Sequence, residues 1–242
     1  MTTGAGPATA NVCPECGQTS VYSIWHYDGI PLPTPCPDCA ARLEIARDAA
    51  AKESEHQKRV HLWRNLEIPF QDTDRDLLPA KNAPLVLSWA YSRGSLIVTG
   101  PTGMGKTRTM VELMHDLFVR DGFGCQFIGF TAWKQALDKA HRYGGDGVEK
   151  FVLPYRKVPV LFIDDVGHGR LNENNLSCLF ELIDSRTSSR RVTLLTTQHD
   201  KESLRKAFNQ VSEMTGEAML RRMEQFFRHV AFDEAKPLPD LI

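Results

Sequence analysis

The stretch GPTGMGKT, Gly100 to Thr107, follows an apolar run and brings glycines, a lysine and a hydroxyl together within one turn of chain. A triphosphate must be held by donors that come close without bulky walls. Glycines at Gly100, Gly103 and Gly105 let main-chain N–H groups and the start of a following helix point at phosphate oxygens. Pro101, Thr102, Met104 and Arg108 complete the phosphate-binding stretch. In the pattern G-x-x-x-x-G-K-[ST], Lys106 reaches the β and γ phosphates and Thr107 gives its hydroxyl to Mg2+. An acidic site should face that cation, and VLFIDDVG supplies Asp164 and Asp165 at the end of a second apolar run. Paired carboxylates are costly there without a cation or a polar partner. Asp164 is expected to hold Mg2+ directly or through water, and Asp165 to orient or deprotonate an attacking water. A third polar cluster, Thr197 and Gln198 in LLTTQ, is expected near the γ-phosphate or that water, as a sensor.

A separate chemistry is written in CPECG and CPDCA. Cys13, Cys16, Cys36 and Cys39 form two C-x-x-C knuckles nineteen residues apart, the spacing of a tetrahedral Zn2+ site with thiolates about 2.3 Å from the ion. Some thirty residues cannot be held by apolar burial alone, so a metal would supply the missing stability. A redox dithiol is the alternative, and the duplicated motif argues against it. Tyr22, Trp25 and Tyr27 lie between the knuckles and are placed either to stack on bases, to fill a partner's groove or to form the module's small core. Cys125 and Cys178 read as ordinary core cysteines.

The elements that must position these residues follow from patterning. Residues 1–11 are small and polar and are expected to be disordered, 12–39 form the cysteine module, and 40–62, rich in Ala, Glu and Lys, form a helical linker. From 63 to 242, SLIVTG, GCQFIGF, VPVLFIDD, RVTLLTTQ and RHVAF read as buried strands alternating with amphipathic helices. Met110, Leu113, Met114, Leu117 and Phe118 share one helical face, as do Trp133, Ala136, Leu137 and Ala140, and then Leu176, Leu179, Phe180 and Ile183. Continuous apolar strands separated by helices imply an α/β domain with a parallel sheet covered on both faces.

GPTGMGKT, VLFIDDVG and LFELIDSRTSSRRVTLLTTQ together resemble the AAA+ ATPases of the DnaC/DnaI helicase-loader and IstB transposition-helper group, over roughly residues 63–233. The resemblance implies a P-loop NTPase sheet of order 5-1-4-3-2, ATP as the nucleotide, and neighbouring subunits that complete the site. It implies an arginine finger just before the last strand, Arg222 first and Arg221 second, whose reach to a neighbour's γ-phosphate couples ATP to self-association. Gln198 stands where the group usually has a sensor Asn. The short stretch after the last strand implies no C-terminal lid. LEIPFQDTD, residues 66–74, resembles the segment preceding the group's first strand and lies either against the adenine or against the sheet edge.

Lys and Arg (29) nearly balance Asp and Glu (30), which excludes a global basic field for nucleic acid. Any DNA contact must be local. The resemblance points to the helix TAWKQALDKAHRYGG, with Lys134, Lys139, His141 and Arg142 as candidates for single-stranded DNA. No apolar run is long enough to span a membrane and no leader pattern opens the chain, so a cytoplasmic protein is expected. These readings converge on an ATP-hydrolysing loader of a replicative hexameric helicase, with ATP, Mg2+ and Zn2+ as cofactors. The alternatives are an IstB-like ATPase assisting a transposase, and a non-hydrolysing, nucleotide-dependent adaptor.

Overall fold

The computed structural model describes residues 9–22, 26–27, 30–31, 34–144 and 146–232, and divides between Lys58 and Arg59 into two units. In the first unit, β1 (Thr9–Val12) pairs antiparallel with β2 (Thr19–Tyr22), and β3 (His26–Tyr27) pairs with β4 (Ile30–Pro31). Thr9, Ala10 and Asn11, expected to be disordered, are instead strand residues. Trp25 lies outside the described residues, and Tyr22 and Tyr27 are described by backbone alone, so the stacking role expected of these aromatics rests on sequence. Among the described side chains of this unit, the buried cluster consists of Cys13, Cys36 and Cys39, which is too little apolar area to stabilise a fold without a staple.

The helical linker is α1 (Pro37–Arg64), which starts earlier and ends later than residues 40–62. Most of its exposed residues are polar or small, with Ile45 and Leu62 as exposed apolar exceptions, and intrahelical pairs form, such as Gln57 Nε2 donating to Glu53 Oε1 at 2.6 Å.

The second unit places α2 (Ala83–Leu87), β5 (Ser95–Thr99), α3 (Lys106–His115), β6 (Cys125–Gly129), α4 (Phe130–Tyr143), α5 (Gly147–Lys157), β7 (Val160–Asp164), α6 (Glu173–Ser188), β8 (Val192–Thr197), α7 (Lys201–Asn209), α8 (Glu213–Phe226) and β9 (Phe227–Ala231) in chain order. Every neighbouring strand pair is parallel, in the order β6-β7-β8-β5-β9. Counted among these five strands the order is 2-3-4-1-5, the expected 5-1-4-3-2 read from the other edge. Strands β5, β7 and β8 are buried almost throughout because helices cover both faces. One core gathers Trp133, Leu137, Leu176, Leu179 and Ile183, the other Met110, Leu113, Met114 and Leu117. At about 1.5–3 kcal/mol for each fully buried large apolar side chain, these two layers carry the domain's stability.

Parallel strands deliver their C-terminal ends to one edge. Thr99, Asp164 and Thr197 end β5, β7 and β8 there, and the chain segments that follow build the site.

Candidate functional site

β5 ends in the glycine turn. Gly100 has φ 141 and closely approaches the chain after β9: a Cβ at Gly100 would stand 2.3 Å from the Phe232 carbonyl oxygen. Gly103 and Gly105 also take positive φ, and Gly105 caps α3, so that Lys106 and Thr107 open the helix with its positive dipole end toward the turn. Lys106 is 8% exposed, and its ammonium donates to the Pro101 carbonyl at 2.8 Å. Burial pulls its pKa below the ordinary lysine value, opposed by the charges of Asp165 and Asp164.

Asp164 closes β7 against this helix. Thr107 donates its hydroxyl to Asp164 Oδ1 at 2.8 Å and Thr196 donates to the same oxygen at 2.5 Å. Burial raises the Asp164 carboxyl above the usual carboxylate range, and these two hydroxyls oppose the shift. A carboxylate and a threonine hydroxyl in direct contact form a hard-oxygen pair suited to Mg2+. Asp165 follows with φ 60, a strained backbone for a non-glycine residue, held by its N–H donating to Thr196 Oγ1 at 2.8 Å. Gln198 Nε2 lies 3.2 Å from each Asp165 carboxylate oxygen, and Gln198 Oε1 accepts from the Thr102 hydroxyl at 2.9 Å. The expected phosphate, cation and water residues are thus gathered around one cavity of about 320 Å³. Thr102–Arg108, Asp164, Asp165, Thr196 and Gln198 line it together with Phe70. Gly100 and Pro101 shape the turn from outside that lining.

Phe70 comes from the LEIPFQDTD segment and adopts φ 61, with the Arg108 guanidinium 4.9 Å from its ring centre. The segment therefore reaches the cavity. Arg75 anchors it to α3 and the turn directly after it, donating to Glu112 Oε2 at 2.7 Å and Asp116 Oδ1 at 2.5 Å. Both acids are nearly buried; Arg75 sets its single charge against the two, and Arg120 Nη1 stands 3.5 Å from Asp116 Oδ2.

The four cysteines of the first unit also meet. Their Sγ atoms all lie within 4.8 Å of one another, against about 3.8 Å for ideal thiolates around one tetrahedral Zn2+. The β1–β2 loop provides the first knuckle, with Gly17 N–H donating to Cys13 O at 2.9 Å, and the second runs from Cys36, just before α1, to Cys39 in its first turn. Arg42 donates to Cys39 Sγ at 2.8 Å. The arrangement fits a closed four-thiolate metal site.

Residues 69–233 match the family described as IstB-like ATP binding protein. The chain belongs to that family. An ATP-binding protein of insertion sequence IS1162 from Pseudomonas fluorescens is 37% identical over 110 residues, 46% of this chain and 46% of that protein. The ATP-binding protein of insertion sequence IS5376 from Geobacillus stearothermophilus is 26% identical over 136 residues, 56% of this chain and 50% of the relative. The chain thus spans about half the length of the curated relatives it matches. A crystal structure of DnaI aligns with TM-score 0.52 at 16% identity, over 61% of this chain and 79% of that one, a likeness of fold. The IstB-like family and this fold agree with the P-loop sheet and with ATP as the nucleotide.

Several residues lie elsewhere than their sequence suggested. Lys134, expected to face DNA, is 8% exposed and donates to the carbonyls of His168 at 2.7 Å and Arg170 at 3.3 Å. Lys139, His141 and Arg142 on the same helix are exposed. Thr197 is buried and donates to the Val166 carbonyl at 2.6 Å, so it faces away from the cavity while Thr196 faces in. Strand alternation carries that signal, since Thr196 and Gln198 fall on one side and Thr197 on the other. Arg222 does not line the cavity; its Nε sits 2.6 Å from Asp184 Oδ1 of α6. Arg221 is exposed on α8. His168 and Arg75 carried no recognised signal in the sequence.

Proposed function

We propose that this IstB-like protein is an ATP- and Mg2+-dependent assembly ATPase serving a DNA-acting enzyme, with the transposase of an insertion sequence as the favoured partner. The observation that carries hydrolysis is the meeting of Thr107 with Asp164 and of Gln198 with Asp165 around the glycine turn. Main-chain N–H groups and Lys106 hold the polyphosphate, and the Phe70 ring offers a face to the adenine. Asp164 and Thr107 hold Mg2+, which neutralises phosphate charge when bound. Asp165 accepts a proton from a water that Gln198 helps to orient. The water oxygen bonds to the γ-phosphorus as the bond to the β–γ bridging oxygen breaks. Arg222 of a second copy stabilises the charge on the transferred group, which makes hydrolysis depend on ATP-dependent self-association.

The insertion-sequence relatives favour the transposase. Loading of a replicative hexameric helicase is the second reading, supported by the four-cysteine module and the fold shared with DnaI. Lys139, His141 and Arg142 are the remaining candidates for single-stranded DNA. Phosphate release by the purified chain with DNA present, abolished by Asp165→Asn while Mg2+–ATP binding persists, is the expected result. Equal turnover by Asp165→Asn would overturn the assignment of the base. Absence of turnover in the parent leaves the adaptor function. Co-purification from the native host separates transposase from helicase.

A further inference from the structure

A lysine ammonium taken out of water has to find acceptors for its protons. Lys134 finds them in the chain that leaves β7 directly after Asp165: the carbonyls of His168 and Arg170. Its Nζ also lies 5.1 Å from the centre of the Phe130 ring. The chain it grips turns sharply. Asp165 has φ 60 and Gly167 φ 89, and a Cβ at Gly167 would come 2.8 Å from His199 Cδ2. Val166 N–H donates to Thr196 O at 2.8 Å, fixing the start of the turn to β8.

The turn brings the His168 ring back toward the cavity. Its Nδ1 stands 2.9 Å from Gln198 Nε2 and 3.6 Å from Asp165 Oδ2. A glutamine amide nitrogen has two protons. One is directed at the Asp165 carboxylate, and the other has His168 Nδ1 as its acceptor, which assigns the imidazole proton to Nε2. Thr102 holds the amide oxygen. A free glutamine side chain has rotamer freedom to lose, and these contacts restrain it from three sides.

We infer that Lys134 and His168 are positioning residues for hydrolysis: the Lys134 ammonium fixes the turn after Asp165 through its carbonyls, so that His168 Nδ1 holds the Gln198 amide against Asp165. The inference rests on the reading of Asp165 and Gln198 as the water-handling pair. It also ties α4, whose outer face carries Lys139 and Arg142, to the reacting end of the sheet through one buried side chain. A partner that shifts α4 thereby shifts the turn.

The test uses the full chain with Mg2+ and DNA over a range of protein concentrations, as parent, His168→Leu, His168→Gln and Lys134→Met. A fluorescent ATP analogue reports nucleotide affinity and phosphate release reports turnover. Affinity is expected to stay within about two-fold in all variants, because none of these side chains joins the phosphate cradle. His168→Leu and Lys134→Met lose roughly ten-fold or more in kcat, the scale on which misplacing a reacting group costs rate. His168→Gln, whose Oε1 accepts the same amide proton, recovers most of it. If Lys134→Met fails to fold, the two His168 variants decide alone. Parental kcat in His168→Leu, loss of affinity in step with kcat, or a His168→Gln rate no better than that of His168→Leu overturns the inference. A parent without turnover sinks the hydrolytic reading and this one together; a parent that turns over beside an unchanged His168→Leu sinks this one alone.

Discussion

Arg186 is the residue on which the inner geometry of the sheet depends. It is fully buried on α6 and donates to Thr193 Oγ1 at 2.9 Å, to the carbonyls of Tyr155 at 2.6 Å, Val158 at 2.8 Å and Pro159 at 3.3 Å, and to that of Val192. Burial pulls the guanidinium down to about 9, helped by the charge of Arg191 and opposed by Tyr91. One side chain thus joins the chain entering β7 to the chain entering β8, the strands that carry Asp164 and lead to Gln198. Arg186→Leu leaves those carbonyls unpaired in the interior, and urea denaturation should show a loss of about 3–5 kcal/mol; a loss below about 1 kcal/mol would mean the carbonyls find water. The sequence made Lys106, Asp164, Asp165 and Gln198 legible because each sits in a motif with a chemical purpose. Lys134 was expected to face DNA, and Arg186 was not singled out. Apolar periodicity marks a buried face only through apolar residues, and a buried cation is recognised only when acceptors from distant chain segments are seen around it.

At the scale of elements, the five core strands and the glycine-turn helix were legible because apolar runs and breaker residues agree there. Helices α5 and α7, of 11 and 9 residues, were not singled out. The segment carrying Phe70 was read as lying at either the base or the sheet edge. The Arg75 ion pairs with Glu112 and Asp116 fix it, and such pairs join residues too far apart in sequence for spacing to reveal. One cysteine of each knuckle has a shifted thiol, and the two shifts run in opposite directions. Burial raises the Cys13 thiol, but the main-chain N–H groups of Cys36, Cys16 and Glu15 bring it down to about 6. Cys39, desolvated at the start of α1, is pushed up to about 12 despite the Arg42 hydrogen bond. Around neutral pH the metal-free Cys13 is then largely thiolate while Cys39 keeps its proton. Zn2+ takes thiolates, so the metal-bound form carries fewer protons, and affinity must rise with pH. Competition with a chromogenic chelator should show Zn2+ held progressively more weakly as pH falls from about 8 to about 6, where Cys13 also protonates, with proton release on binding. Affinity independent of pH across that interval would argue against thiolate ligation.

For the molecule as a whole, the question is what completes a cavity that opens at one edge of the sheet while its candidate arginine lies outside the lining. Arg222 is half-buried on α8 and paired with Asp184, and a partly exposed ion pair of this kind is worth about 0–1 kcal/mol. In the proposed assembly a γ-phosphate presented by a second copy would carry more charge than Asp184 and would accept the guanidinium fork in its place. Contact of one copy's cavity with another copy's α8 is heterologous: it uses two different surfaces and propagates into a ring or filament. Mixed variants test this directly. Lys106→Ala lacks a nucleotide grip but keeps Arg222, whereas Arg222→Ala keeps the grip and lacks the arginine. Each alone should be nearly inactive in phosphate release. Mixed together, an Arg222→Ala cavity can face a Lys106→Ala neighbour that still supplies its arginine, so turnover should rise well above the sum of the separate preparations and grow with total protein concentration. A mixture no more active than its components would place the action of Arg222 within its own chain, or confine it to the contact with Asp184 that it makes in the single copy.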